Sequence, residues 1–472
     1  MVRKIIVVSF LLVVVLSEML IVSCKHEFPE DKLLITLAEA STEPDTDTDP
    51  HTWRYNKQTS IALIDPYSSE TPLMLTGSFY SALSPEISHD GKKFLFAARK
   101  EQNDPWQIWE MNLKNLNLTQ VTFSSDNSID PAYLPGGRLV FSRSLRNDSL
   151  KSGYALFTCN ADGTDLNRIT FIPHDYYKPS VLRDGRIISF SRQSFPVESD
   201  PSIMVLRPDG TKSELFYRSD DELAVISRGW ESMDGRIIFI ESGDKNKGNS
   251  VISISYNRPL HSRINHTSGL GGDFYYAFPL KPGKLIVSYK LAGDGKFRLY
   301  EFNTEKNITE RLIYGTEDKD VLEAVAVRER ESPKKLPSEV DALVKTGLLF
   351  CQDINESDID NAGRTFVKAE SIEIMGIDSS LGVINVEDDG SFYLKIAADM
   401  PFRIKTLASN GDVINGPGSW LWLRPNERRG CSGCHEDNEM VPENRYALAV
   451  AKDPVKVPFK TDMFTEKEVE LE

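Results

Sequence analysis

"HDGKKFLFAAR" (residues 89–99) sets the fold, because the same phrase returns four more times: a turn with glycine, a basic residue, then an apolar run. The copies are "LPGGRLVFSRS" (134–144), "LRDGRIISFSR" (182–192), "SMDGRIIFIES" (232–242) and "LKPGKLIVSYK" (280–290). Their glycines, Gly91, Gly137, Gly185, Gly235 and Gly283, stand 46, 48, 50 and 48 residues apart. Such turns supply the positive φ of a hairpin, and the run that follows is apolar enough to be packed between neighbours. A second phrase, strand, polar turn and strand, lies between the copies. It reads "QIWEMNLKNLNLTQVT" (107–122), "YALFTCNADGTDLNRIT" (154–170), "SIMVLRPDGTKSELFY" (202–217) and "FRLYEFNTEKNITERLI" (297–313), with a looser copy at 249–265 and a further one at 60–76.

A fixed period with four short strands per unit predicts a β-propeller. Five turn phrases and six outer phrases predict six blades over residues 59–330. The missing inner strands are expected from "VLEAVAVRER" (321–330), so that both ends of the region close the ring and remove its sheet edges. "SPEISHDGKKFLF" (84–96) and "DPAYLPGGRLVF" (130–141) resemble TolB-type (PD40) repeats. That resemblance implies the same propeller fold and leaves function open.

"RERESPKKLPSE" (328–339) is charged and proline-bearing, and residues 331–345 read as a linker. Residues 346–472 read as a small antiparallel β-domain, with "DDG" (388–390) and Asn410-Gly411 as hairpin turns. "SWLWL" (419–423) reads as a further strand with Trp420 and Trp422 on one face, packing in the core of that domain, with a wall for a porphyrin as the alternative. The expected fold class is all-β: a six-bladed β-propeller, then a small antiparallel β-domain carrying a Cys-x-x-Cys-His loop.

The chain opens "MVRKIIVVSFLLVVVLSEMLIVSC". A basic start and an apolar run broken at Glu18 read as an export signal over residues 1–23, too short for a membrane span. Its end resembles the lipobox of bacterial lipoproteins, which implies cleavage before Cys24 and acylation of that cysteine. Residues 24–58, containing "STEPDTDTDP", read as an acidic flexible tether. The expected location is the bacterial cell envelope, lipid-anchored to a membrane and facing the periplasm or cell surface. A net charge of −15 disfavours nucleic acid as a partner. Five cysteines in 472 residues do not build a disulfide scaffold, and Cys159 and Cys351 sit in strand-like apolar runs as ordinary buried residues.

Chemistry concentrates in "RPNERRGCSGCHEDNEM" (424–440). Cys431 and Cys434 have the spacing for two thioethers to haem vinyl groups, and His435 then offers its imidazole to the iron. One covalent haem c is the expected cofactor. A zinc site, with Glu436, Asp437 or Glu439 completing Cys431, Cys434 and His435, is an alternative, as is a Cys431–Cys434 disulfide. Arg424, Arg428 and Arg429 suit haem propionates or a solvated turn. Met440 is a candidate second axial ligand. "QDINESDIDN" (352–361) reads as a polar loop. No catalytic residues are assigned.

On "DDGSFYLKIAADMPFRIKTLASNGDVI" and "SWLWLRPNERRGCSGCHED", residues 346–455 resemble the middle domain of the hydrazine synthase alpha subunit family. The resemblance implies a propeller before this domain and haem thioethers at Cys431 and Cys434, with His435 as a metal ligand. That family's axial tyrosine is not carried over, since the first tyrosine after the motif is Tyr446. The sequence holds a single Cys-x-x-Cys-His, so hydrazine formation is not expected of this chain alone. The leading expectation is an exported mono-haem electron-transfer protein, more a docking partner than an enzyme, meeting a redox partner on the propeller face. The other two are a propeller-based envelope scaffold, and a haem enzyme acting on a small nitrogen compound or peroxide.

Overall fold

The computed structural model describes residues 31–39, 53–220, 223–243, 248–356, 367–433 and 445–457. Two short 3-10 turns are the only helical elements among them, and everything else regular is strand. No described helix is long and apolar enough to cross a membrane.

Six four-stranded sheets occupy residues 33–326. The second is typical: Ser81–Ile87, Lys93–Arg99, Gln107–Asn112 and Leu118–Gln120 pair in chain order, all antiparallel. The turn glycines behave as the repeat requires. Gly91, Gly137, Gly185, Gly235 and Gly283 all have φ between +70° and +92°. The strands after them are apolar on both faces, and Phe94, Leu95, Phe96 and Ala97 are each 0% exposed.

The closing sheet runs in the order Lys319–Ala326, Leu33–Glu39, Thr59–Ile64 and Leu73–Met74. The last strand of the repeat region is thus stitched to the first by a register running from Leu33↔Ala326 to Glu39↔Lys319. This corrects the expected tether over 24–58. "LLITLAE" (33–39) carries a continuous apolar run, and six of its seven residues are buried because sheets flank it on both sides.

Residues 53–56 are also structured. They form a 3-10 turn that drives Arg54 into the point where the inner strands of all six sheets converge. Ser84, Asp130 and Lys178 hold left-handed φ values of 59°, 53° and 52°, each directly before a proline. Their strands slip register there, so each is a β-bulge that turns its residue inward. Arg54 bridges Asp130 and Glu323, and all three are nearly inaccessible. Asp130 also accepts from Tyr55 at 2.7 Å and Ser84 Oγ at 2.9 Å, and Glu323 from Thr36 at 2.8 Å and the Ser84 amide at 2.9 Å. Burial pushes the Asp130 carboxyl up, but Arg54, Arg228 and Lys178 outweigh it and hold the pKa below the usual range. The space left, about 20 Å³, is room for about one water.

Residues 328–339 are not a loose connection. The Arg330 amide donates to the His89 carbonyl at 2.8 Å, and the Lys334 amide to that of Arg183 at 3.0 Å. A Cβ on Gly185 would lie 2.1 Å from the Lys334 oxygen, so this turn needs glycine for space as well as for φ. The strap covers a cavity of about 350 Å³ lined in part by His89, Tyr133, Trp230 and Phe278.

The small domain holds two four-stranded sheets. One is antiparallel: Ser380–Asn385, Ser371–Met375, Arg403–Leu407 and Val413–Asn415. The other orders Arg428–Cys431, Thr346–Cys351, Phe392–Ala397 and Val455–Lys456, and its two outer pairings are parallel. An all-antiparallel domain is therefore corrected. Asn410-Gly411 closes a hairpin as expected, whereas Asp388-Asp389-Gly390 joins strands of different sheets. The chain crosses between sheets at that turn; Arg428–Cys431 then returns parallel to the first strand, and Val455–Lys456 parallel to Phe392–Ala397.

Arg54→Ala leaves two carboxylates buried without their cation. It is expected to cost about 3–5 kcal/mol in urea denaturation. Arg54→Lys is expected to recover only part, because an ammonium lacks the planar fork that spans both partners.

Candidate functional site

The segment that carries the cysteine motif is fixed before the motif begins. In Trp420–Leu423 alternate side chains point to opposite partners. Trp420 and Trp422 pack with Leu134, Tyr176 and Leu206 of the repeat sheets, while Leu421 and Leu423 face the small-domain core. Trp420 Nε1 donates to the Phe195 carbonyl at 3.0 Å. The expected strand is reduced to a single bridge, Phe402↔Leu421. Two aromatic side chains buried between domains, rather than a ladder, hold this stretch.

Glu427 follows, 0% exposed. It accepts from the Lys212 amide at 2.8 Å, the Arg424 amide at 2.8 Å and Arg429 at 2.7 Å. Lys212 lies in a turn of the repeat region, with φ 55°, and its ammonium donates to the Arg428 carbonyl. Arg424 donates to Asp399 at 2.7 Å and to the Asp209 carbonyl at 2.9 Å, and sits 4.5 Å over the Phe171 ring. Burial raises the Asp399 pKa, with Arg424 opposing. Arg424 and Arg429 are thus engaged inside the protein, and of the three arginines only Arg428 is exposed. Sequence reading missed Glu427 and Asp399. The signal was present in a glutamate flanked by arginines, but "RPNERRG" reads equally well as a solvated turn.

Arg428–Cys431 then pairs with Thr346–Cys351, register Leu348↔Arg428 to Cys351↔Cys431. Cys431 is part-buried at the rim of a cluster that includes Leu349, Cys351, Ile354 and Phe392. The Gln352 amide donates to the Cys431 carbonyl at 2.9 Å and that of Asp353 to Ser432 at 3.0 Å. A Cβ on Gly433 would lie 2.4 Å from the Glu356 oxygen, so the turn out of the strand is held tightly. Cys434, His435, Glu436, Asp437, Glu439, Met440 and Cys24 lie outside the described residues. Among the described residues no cluster of metal-ligating side chains is present. Cys159 and Cys351 are buried as expected, and burial pushes the Cys159 thiol up to about 11. A part-exposed sulfur at the edge of an apolar cluster fits one thioether of a haem, whose apolar face needs such a wall.

Residues 347–436 match the family model of the hydrazine synthase alpha subunit middle domain. The chain is similar to the hydrazine synthase alpha subunit. Hydrazine synthase subunit alpha from Kuenenia stuttgartiensis is 22% identical over 79% of this chain, which spans 62% of that relative's length. The solved Kuenenia stuttgartiensis hydrazine synthase superposes with a TM-score of 0.77 over 90% of this chain and 72% of its own, at 20% identity. TolB from Acinetobacter baumannii reaches a TM-score of 0.44 at 16% identity, covering 62% of this chain and 66% of its own, too low to add to the fold assignment. The relatedness places the repeat sheets of this hydrazine synthase alpha-like chain in a propeller fold. It overturns the expectation of a simple mono-haem electron-transfer protein, since the matched family and relative are subunits of a synthase. The lean away from an enzyme has no support either.

Glu427→Ala orphans two half-buried amides and the Arg429 guanidinium. It is expected to cost about 3–5 kcal/mol and to open residues 327–345 to limited proteolysis, with Glu427→Gln milder on both measures. A second prediction concerns acid. His174 stacks on Tyr176, which packs with the tryptophan pair, and bonds Ser191 through Nδ1 at 2.9 Å while its Nε2 is enclosed without a partner. Burial, then Arg218 and Arg403, push its pKa down to about 3. An unfolded histidine titrates near 6.5, so on acidification the unfolded state takes the proton first. Stability is expected to fall from about pH 6.5 downward. His174→Gln is expected to flatten urea midpoints between about pH 7 and 5.

Proposed function

We propose that this hydrazine synthase alpha-like chain is a subunit of an enzyme acting on small nitrogen compounds. In this reading a six-bladed propeller carries a small domain with one covalent haem. The observation that supports it is the family match, which runs through the Cys-x-x-Cys-His segment. The TM-score of 0.77 over 90% of the chain supports a like mounting of the small domain on the propeller.

Cys431 and Cys434 would hold the haem, with His435 as a metal ligand. When bound, the group supplies an iron that binds one-nitrogen ligands and exchanges electrons with them. The chain's own residues set the place. Glu427 and the tryptophan pair fix the approach of the strand, and Gly433 lets the chain turn tightly against residue 356. Joining two one-nitrogen units calls for partner subunits, for which the propeller offers docking surface. The leader and Cys24 support an extracytoplasmic, lipid-anchored location.

The test is export of the full chain in a host with haem-maturation machinery. The expected result is c-type bands in a pyridine haemochrome spectrum, lost in Cys431→Ala/Cys434→Ala, and a Soret shift when nitric oxide meets the reduced protein. Absence of c-type bands overturns the haem assignment. An unresponsive six-coordinate spectrum overturns action on nitrogen compounds at this iron.

A further inference from the structure

The structure places a third cysteine beside the motif. Cys351 and Cys431 are register partners at the matching ends of two parallel strands, although 80 residues separate them in sequence. Neighbouring strands lie about 4.7–4.9 Å apart, a spacing inside the 4.4–6.8 Å that the Cα atoms of a disulfide span. Laterally paired residues present their side chains to the same face. Here that face is the small-domain core, where Cys351 is 1% exposed and Cys431 packs against the same apolar cluster.

We propose that Cys351 and Cys431 form a disulfide in haem-free protein, one that excludes thioether formation at Cys431. The two thiols lose two protons and two electrons to a dithiol-exchanging protein disulfide or a small disulfide. Cys351 Sγ bonds to Cys431 Sγ, and the oxidant leaves as two thiols. Closing the bond draws the Cβ atoms toward about 3.5–4.5 Å, and parallel neighbours start wider than that. The bond is therefore strained and readily reduced, as suits one that yields to cofactor attachment. The step uses only residues of the folded small domain and stands whether or not haem is later attached. Its exclusion of haem rests on the function proposed above.

The experiment exports the full chain into an oxidising periplasm lacking haem-maturation machinery, quenches with acid, alkylates, and maps peptides without reduction. Trypsin places Cys351 on residues 346–364 and both Cys431 and Cys434 on residues 430–445. The expected product is the two peptides joined, minus two hydrogens. The join persists in Cys434→Ala and is lost in Cys431→Ala and in Cys351→Ser. A Cys431–Cys434 bond with alkylated Cys351, or three alkylated thiols, overturns the proposal. In haem-loaded protein Cys351 is expected to alkylate fully. Failure of haem to attach in that arm counts against the haem assignment and leaves the mapped disulfide standing.

Discussion

A carboxylate with no access to water fixes the geometry of the cysteine segment. Glu427 is enclosed between the repeat region and the small domain, and its oxygens are taken up by two amides and a guanidinium. An isolated buried charge is costly, and a buried carboxylate with both oxygens hydrogen-bonded is held in place. Because one amide belongs to Lys212 and the other to Arg424, the residue holds two domains at once. The strand Arg428–Cys431 leaves from this point and has little freedom except to lie along Thr346–Cys351.

The same device appears at the centre of the repeat region. Arg54 meets Asp130 and Glu323 where six inner strands converge. The bulged residues Ser84, Asp130 and Lys178 reach the centre because left-handed backbone turns them there. Buried ion pairs of this kind are weak stabilisers relative to apolar packing of equal volume. What they supply here is register, since a slipped strand would leave an unmatched charge.

Much of the fold was legible in the sequence. The spaced glycines, the apolar runs and the strand-turn-strand phrases each became sheet strands where expected, and closure by residues 321–330 was anticipated from the count of phrases. The strand Leu33–Glu39 was missed because its acidic, proline-bearing surroundings drew it into a tether, although "LLIT" is as apolar as any repeat strand. The parallel pairings were missed because pairing partners across sheets leave no local signature. At the site, residue types were readable and roles were not. Trp420 and Trp422 read as core of the small domain but bury against the repeat sheets, which alternation alone cannot reveal. Cys351 read as an ordinary buried residue, and only the register brought it beside Cys431.

The stitching of Leu33–Glu39 to Lys319–Ala326 sets an order of events. Thr36 meets Glu323 across 287 residues, so the first described strand to leave a ribosome waits for the last strand of the repeat region. Until then one of its edges offers unpaired amides and carbonyls to any passing strand. The repeat region's most exposed moment is thus the interval between emergence of Leu33–Glu39 and arrival of Lys319–Ala326, and that interval grows with every residue placed between them.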